Sequence, residues 1–204
     1  RHEGEHKRMG AMDVCPFVPL PGSTTEEAAA LARRAGERIG GELGVPVFLY
    51  GAAAASDERR KLGRIRNKEF EKLRDLVGSD PAFRPDYGPE KMHDTAGASG
   101  VGARFFLLAY NINLESDDLE LARSIAKRVR EKDGGYRCVQ GMGFTLEDQG
   151  IVQVSMNLTD YRVTSIRTIF DAVARLAADA GVEVRESEVI GLVPGEALDD
   201  ETAR

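Results

Sequence analysis

Two hydrophobic rhythms run along this chain, one of period three to four and one of period two. Ala28, Leu31, Ala32, Ala35, Ile39 and Leu43 keep the helical spacing. Thr24 and Glu27 stand ahead of them as a capping-box pair, and Gly44 follows as a stop. Short apolar runs over 11–18 and 45–50 flank this helix and predict strands, the first ending among Pro16, Pro19 and Pro21. Residues 11–50 therefore read as one β-α-β unit. Residues 57–77 read as a charged helical tail whose Arg and Glu residues form a solvated face. Residues 78–102 follow no period and hold Pro81, Pro85, Pro89 and five glycines. A loop of that length is commonly functional or a linker. The domain boundary is placed at its end, giving 1–103 and 104–204.

The second half is more regular. Residues 104–114 predict a strand, and Ser116 opens a helix carrying Leu119, Ala122, Ile125, Ala126 and Val129. Strands are expected over 136–146 and 151–158, joined by a turn at Asp148-Gln149-Gly150. Thr164 opens a helix striped with Ile166, Ile169, Phe170, Val173, Leu176 and Ala177, and 182–192 gives the last strand. The order β-α-β-β-α-β is that of a ferredoxin-like unit, whose first and third strands lie side by side. The expected class is α+β with two ferredoxin-like subdomains, the first incomplete because its opening β-α-β is missing.

Composition narrows the function classes. The chain has 204 residues, 42% hydrophobic and 30% charged, with a net charge of −6. That is enough for a real core in about one or two domains. The acidic balance argues against a general nucleic-acid grip but leaves room for a local basic pocket. No apolar run reaches the length that spans a bilayer, so no membrane partner is expected. Cys15 and Cys138 are sparse, and the start is charged and polar; both predict a cytoplasmic chain. The first residue is Arg1 rather than Met, so the chain reads as processed or as a fragment.

Three constellations could carry chemistry. His2-Glu3-Gly4-Glu5-His6 has the H-E-x-x-H spacing of zinc proteases, but that motif needs a helix, and here it holds Gly4 and runs into a strand. His6 also lies in a polar, glycine-bounded segment, Glu5-His6-Lys7-Arg8-Met9-Gly10. An imidazole there can serve as acid or base, and Lys7 and Arg8 would draw an anion; the alternative is an exposed histidine in a disordered end. Gln153, Ser155 and Asn157 share one strand face, as do Asn111 and Asn113 on theirs. If those strands are neighbours, amides gather on one side of the sheet and suit a heterocycle edge; the same residues equally make a solvated face. Gly134-Gly135 reads as a turn, and Gly141 and Gly143 as bulge glycines.

Several long motifs carry a family resemblance, in order, over nearly the whole chain. The segments His6–Phe17, Val47-Phe48-Leu49-Tyr50-Gly51 and Arg84-Pro85-Asp86-Tyr87-Gly88-Pro89 resemble those of glutamate formimidoyltransferases. So do Gly102-Ala103-Arg104-Phe105 with Ala109–Leu114, Gln153–Tyr161, and Gly191-Leu192-Val193-Pro194. The resemblance implies transfer of a formimidoyl group from N-formimidoyl-L-glutamate to N5 of tetrahydrofolate, in histidine breakdown. It implies two ferredoxin-like subdomains with a folate tunnel between them, tetrahydrofolate as co-substrate, and no metal. It puts the catalytic histidine at His6. It puts the folate-binding loop at Gly88, Pro89, Glu90, Lys91, Met92, His93, Asp94, Thr95, Ala96 and Gly97. Lys7 stands where the family has proline, residues 91–96 are less apolar than the family loop, and the family's opening β-α-β is expected to be absent.

Both substrates carry carboxylates, which makes Arg8 and Arg104 candidate anion partners. Asn111, Asn113 and Asn157 join them as candidate binding residues. Asp13 could orient His6 or be structural. A folate-binding relative without catalysis and the zinc hydrolase remain as alternatives. Exposed edges of a ferredoxin-like sheet make a homodimer an expectation.

Overall fold

The computed structural model describes residues 7–198. The chain divides into two compact units, Arg1–Phe105 and Phe106–Arg204.

The first unit is built on β1 (Val14–Phe17), α1 (Thr25–Leu43), β2 (Val47–Gly51), α2 (Gly63–Arg66), α3 (Glu69–Leu76) and β3 (Ser99–Ala103). The helix α1 starts as its sequence demands: the Glu27 amide donates to Thr24 Oγ1 and the Thr24 amide to the Glu27 carboxylate. It ends where Gly44 turns left-handed at φ 63°. Its small residues Ala28, Ala29 and Ala32 pack on one face of the sheet, against Val47, Leu49, Val101 and Ala103. The other face carries Phe48 with Met9, Ile65, Leu73, Val77, Phe83 and Met92.

Three expectations for this half are corrected. The end of the aperiodic stretch 78–102 is a strand, β3, and it lies between β1 and β2 at the centre of the sheet. All three strands run parallel. Neighbouring strands of a ferredoxin-like sheet run antiparallel, so the described strands of this unit differ from the incomplete ferredoxin-like arrangement expected of it. The charged tail 57–77 is a 3-10 turn followed by α2 and α3, because the chain folds back to bury Ile65 and Leu73.

The second unit contains β4 (Leu108–Leu114), α4 (Leu119–Val129), β5 (Val139–Leu146), β6 (Ile151–Leu158), α5 (Ile166–Asp179) and β7 (Val184–Ile190). Asp118 and Ser165 cap the two helices through their side chains. The sheet is antiparallel throughout, in the order β5-β6-β4-β7. Ile112, Leu114, Val152, Val154, Met156 and Leu158 are buried on one face, and α4 and α5 pack on the sheet. Gly141 and Gly143 make no bulge, since β5 and β6 keep their register across both. Gly143 instead admits α4: a Cβ there would stand 2.5 Å from the Arg123 nitrogen.

Candidate functional site

His6 and the rest of the H-E-x-x-H segment lie outside the described residues. Just after them the chain makes a bonded crossing. The Ala98 amide donates to the Met9 carbonyl at 2.9 Å, and the Ala11 amide donates to the Ala96 carbonyl at 2.9 Å. Gly10 and Gly97 form the antiparallel bridge between these two bonds. The segment following His6 and the end of the 88–97 loop are thus stitched together by backbone hydrogen bonds. Met9 anchors this crossing as a fully buried core side chain.

Asp13 fixes the turn that leads out of it. One carboxylate oxygen accepts from the Met9 amide at 2.7 Å, and the other accepts from Arg66 Nε at 2.7 Å. Both oxygens have protein donors, so Asp13 shapes the segment. Arg8 reaches α3, where it pairs with Glu71 at 2.9 Å and lies 5.5 Å from the Phe70 ring centre. Arg104 follows the central strand β3 and donates to the Phe105 carbonyl at 3.0 Å.

The loop itself is divided. Gly88 (φ 83°) lies against α1 at Gly40, where a Cβ would come within 2.6 Å of the Gly88 nitrogen. Asp86 just before it covers the outer edge of β2: its carboxylate accepts from the Leu49 amide at 2.7 Å and from Arg59 at 3.0 Å. Met92 is buried in the core with Phe83 and Val77. Pro89, Glu90, Lys91, Asp94 and Thr95 are exposed. Glu90 pairs with Arg84, and Lys91 with Asp94. His93 and Ala96 are half-buried, and Gly97 is buried.

In the second unit, β4 and β6 are neighbours and face their amides the same way. Asn111 stands opposite Ser155, Asn113 opposite Gln153, and Ala109 opposite Asn157. Two carboxylates that the sequence reading passed over join this face. Glu188 is opposite Asn111 on β7, and Glu186 is opposite Asn113. Asn111 Nδ2 donates to Glu188 at 3.1 Å and Asn113 Nδ2 to Glu186 at 3.0 Å, while Gln153 Nε2 donates to Asn113 Oδ1 at 2.9 Å. The period-two placement of Glu186 and Glu188 was the available signal. Amide donors are engaged by these carboxylates, which shifts the face toward hydrogen-bond acceptors.

Tyr50, near the end of β2, is buried, and among the described residues its hydroxyl meets no hydrogen-bond partner. Burial pushes its phenol upward, and the nearby Arg104 charge opposes that in part. Burial likewise raises the Cys15 thiol. Among the described residues no three His, Cys, Asp or Glu side chains converge as metal ligands. No described helix is long and apolar enough to cross a membrane.

Two family models divide the chain between them. Residues 1–104 match the N-terminal subdomain of the formiminotransferase domain, and residues 109–203 match the formiminotransferase domain. A glutamate formimidoyltransferase of Streptococcus pyogenes is 45% identical over 98% of this chain and 67% of its own length. One from Thermoplasma acidophilum is 47% identical over 98% of this chain and 66% of its own length. The formimidoyltransferase-cyclodeaminase of Mus musculus is 43% identical over all of this chain and 38% of its own length. The chain therefore spans about two thirds of the first two relatives. Matches in both units and identity along nearly the whole chain make it a member of the formiminotransferase-domain family.

Proposed function

We propose that this chain carries out formimidoyl transfer from N-formimidoyl-L-glutamate to N5 of tetrahydrofolate, the activity named for its relatives and placed in histidine breakdown. One observation carries the reading: the backbone crossing of Met9–Ala11 with Ala96–Ala98. It binds the segment that follows His6 to the loop that the family resemblance gives to folate. In this reading Gly88–Gly97 meets the folate, with Pro89, Glu90, Lys91, Asp94 and Thr95 as its exposed side chains. Arg8 and Arg104 receive substrate carboxylates, and Asn111, Asn113 and Asn157 are polar contacts. The second unit is read as ferredoxin-like, supported by its strand order with β4 and β6 at the centre.

The chemistry needs one proton carrier. N5 of the folate attacks the amidine carbon and forms a tetrahedral intermediate. His6 takes the N5 proton as base and returns it as acid to the glutamate nitrogen. The carbon–nitrogen bond to glutamate then breaks, leaving L-glutamate and 5-formimidoyltetrahydrofolate. Positioned proton transfer of this kind contributes about 10²–10⁴-fold, and holding both substrates together supplies further acceleration. Tetrahydrofolate is a co-substrate here, and no step calls for a metal.

The test is His6→Ala, assayed for turnover and for binding of 5-formyltetrahydrofolate. Turnover should collapse while binding persists. Turnover at the wild-type level in this variant overturns the assignment of His6. A wild-type chain that binds this folate without turnover would instead be a folate-binding relative.

A further inference from the structure

His93 differs from every other side chain in the 88–97 loop because it is spent on the backbone. Its Nδ1 lies 3.1 Å from the Ala96 amide nitrogen and 3.3 Å from that of Thr95. Both amides donate, so Nδ1 is the acceptor and the ring proton sits on Nε2. The same residue pairs its main chain with Gly97: the His93 amide donates to the Gly97 carbonyl at 3.1 Å, and the Gly97 amide donates back at 3.0 Å. The ring therefore closes a four-bond turn over 93–97. The outer face of that turn is the Ala96 carbonyl and Gly97, the two groups that meet Ala11 and Gly10.

We propose that His93 is a positioning residue for the ligand loop, its Nδ1 doing what an aspartate or asparagine oxygen does at a capped turn. Removing the imidazole frees two amides and loosens the turn that presents Ala96 and Gly97 to the segment following His6. Neighbouring charges do not replace it. Lys91 is paired with Asp94, Arg8 with Glu71, and Asp13 with Arg66. Asparagine is the informative substitute, since its Oδ1 accepts from amides two and three residues on, as Nδ1 does here. The consequence for binding rests on the reading above that this loop meets the folate.

The experiment uses the full chain with His93→Ala and His93→Asn, read two ways. Hydrogen exchange without ligand reports the turn itself. Exchange at Thr95 and Ala96 should speed up in H93A and return most of the way in H93N, with the core amides of β3 unchanged in both. Equal protection in wild type and H93A overturns the proposal. The second reading is affinity for 5-formyltetrahydrofolate, expected to fall about tenfold in H93A from two lost hydrogen bonds, with H93N recovering most of it. If H93N restores exchange protection but not affinity, His93 touches the ligand itself and the positioning role is overturned. If the wild type binds no folate, the proposed function fails, and the exchange measurement still decides the role of His93 in the turn.

Discussion

Gly97 stands so close to Gly10 that a Cβ on Gly97 would lie 2.7 Å from the Gly10 α-carbon and 2.4 Å from the Met9 carbonyl oxygen. Gly97 also holds φ at 70°, a conformation that side chains strain. A Cβ on Gly10 would in turn lie 2.2 Å from the Ala98 carbonyl oxygen and 2.5 Å from that of Ala96, so both sides of the bridge exclude a side chain for reasons of backbone contact. Gly97→Ala is expected to cost about 2–4 kcal/mol, combining backbone strain with overpacking. Urea denaturation checks this, and a loss below about 1 kcal/mol would show that the crossing can open cheaply.

Asp86 and Arg59 should be coupled. Their side chains are only 13% and 17% exposed, and Asp86 also receives the Leu49 amide. Asp86→Ala leaves that amide without its acceptor and takes the counter-charge from a largely buried guanidinium, which keeps only the Arg84 carbonyl at 2.7 Å and the Ala82 carbonyl at 3.5 Å. A cost of about 3 kcal/mol is expected. The double variant with Arg59→Ala should cost less than the two single losses added, as a denaturation cycle would reveal.

Tyr161 makes an alkaline signature. Its hydroxyl donates to Glu196, and burial together with that carboxylate pushes its phenol up to about 12. An unfolded chain loses this proton near the ordinary tyrosine value of about 10. Between those two values the folded state holds a proton that the unfolded state has released. Stability must then fall as pH rises through that window. Tyr161→Phe should weaken that alkaline fall, which thermal unfolding measured across the window would record.

Tyr50 predicts the opposite kind of result. Its buried hydroxyl has no partner among the described residues. Tyr50→Phe removes a buried hydroxyl that has no well-formed bond among the described residues and only the Arg104 side chain beside it, so stability should change by less than about 1 kcal/mol. A loss of more than about 1 kcal/mol in urea denaturation would show that the hydroxyl is bonded in solution.

How legible the molecule was depends on where the information resides. The helix α1 could be read because its cap, stripe and stop are all local: Thr24 with Glu27, the alanine-rich face, then Gly44. The amide face of β4 and β6 followed from alternation alone. Strand β3 could not be read, because Ser99-Gly100-Val101-Gly102-Ala103 lacks the bulky residues that mark strands. Its neighbours fill the space instead. A Cβ on Gly100 would strike Leu62 and Met9, and one on Gly102 would strike Tyr50. The roles of Asp13 and His93 were equally hidden, since both side chains act on backbone amides whose positions exist only after folding. The family resemblance puts Met92 in the folate-binding loop, and its side chain packs in the core of the first unit.

The order of strands in the first unit sets a schedule for its assembly. The strand between β1 and β2 is the last to arrive: β1 ends at Phe17, yet β3 begins only at Ser99. Among the described residues, a chain made as far as the end of β2 holds β1 and β2 of this sheet and no ladder between them. Closure of so distant a pairing is entropically slow. Until Ser99–Ala103 is inserted, α1 lacks Val101 and Ala103, two of the residues it packs on. The glycines of β3 then have a kinetic meaning as well as a steric one: a strand that enters last, between two already occupied by large side chains, enters most easily when it brings almost none of its own.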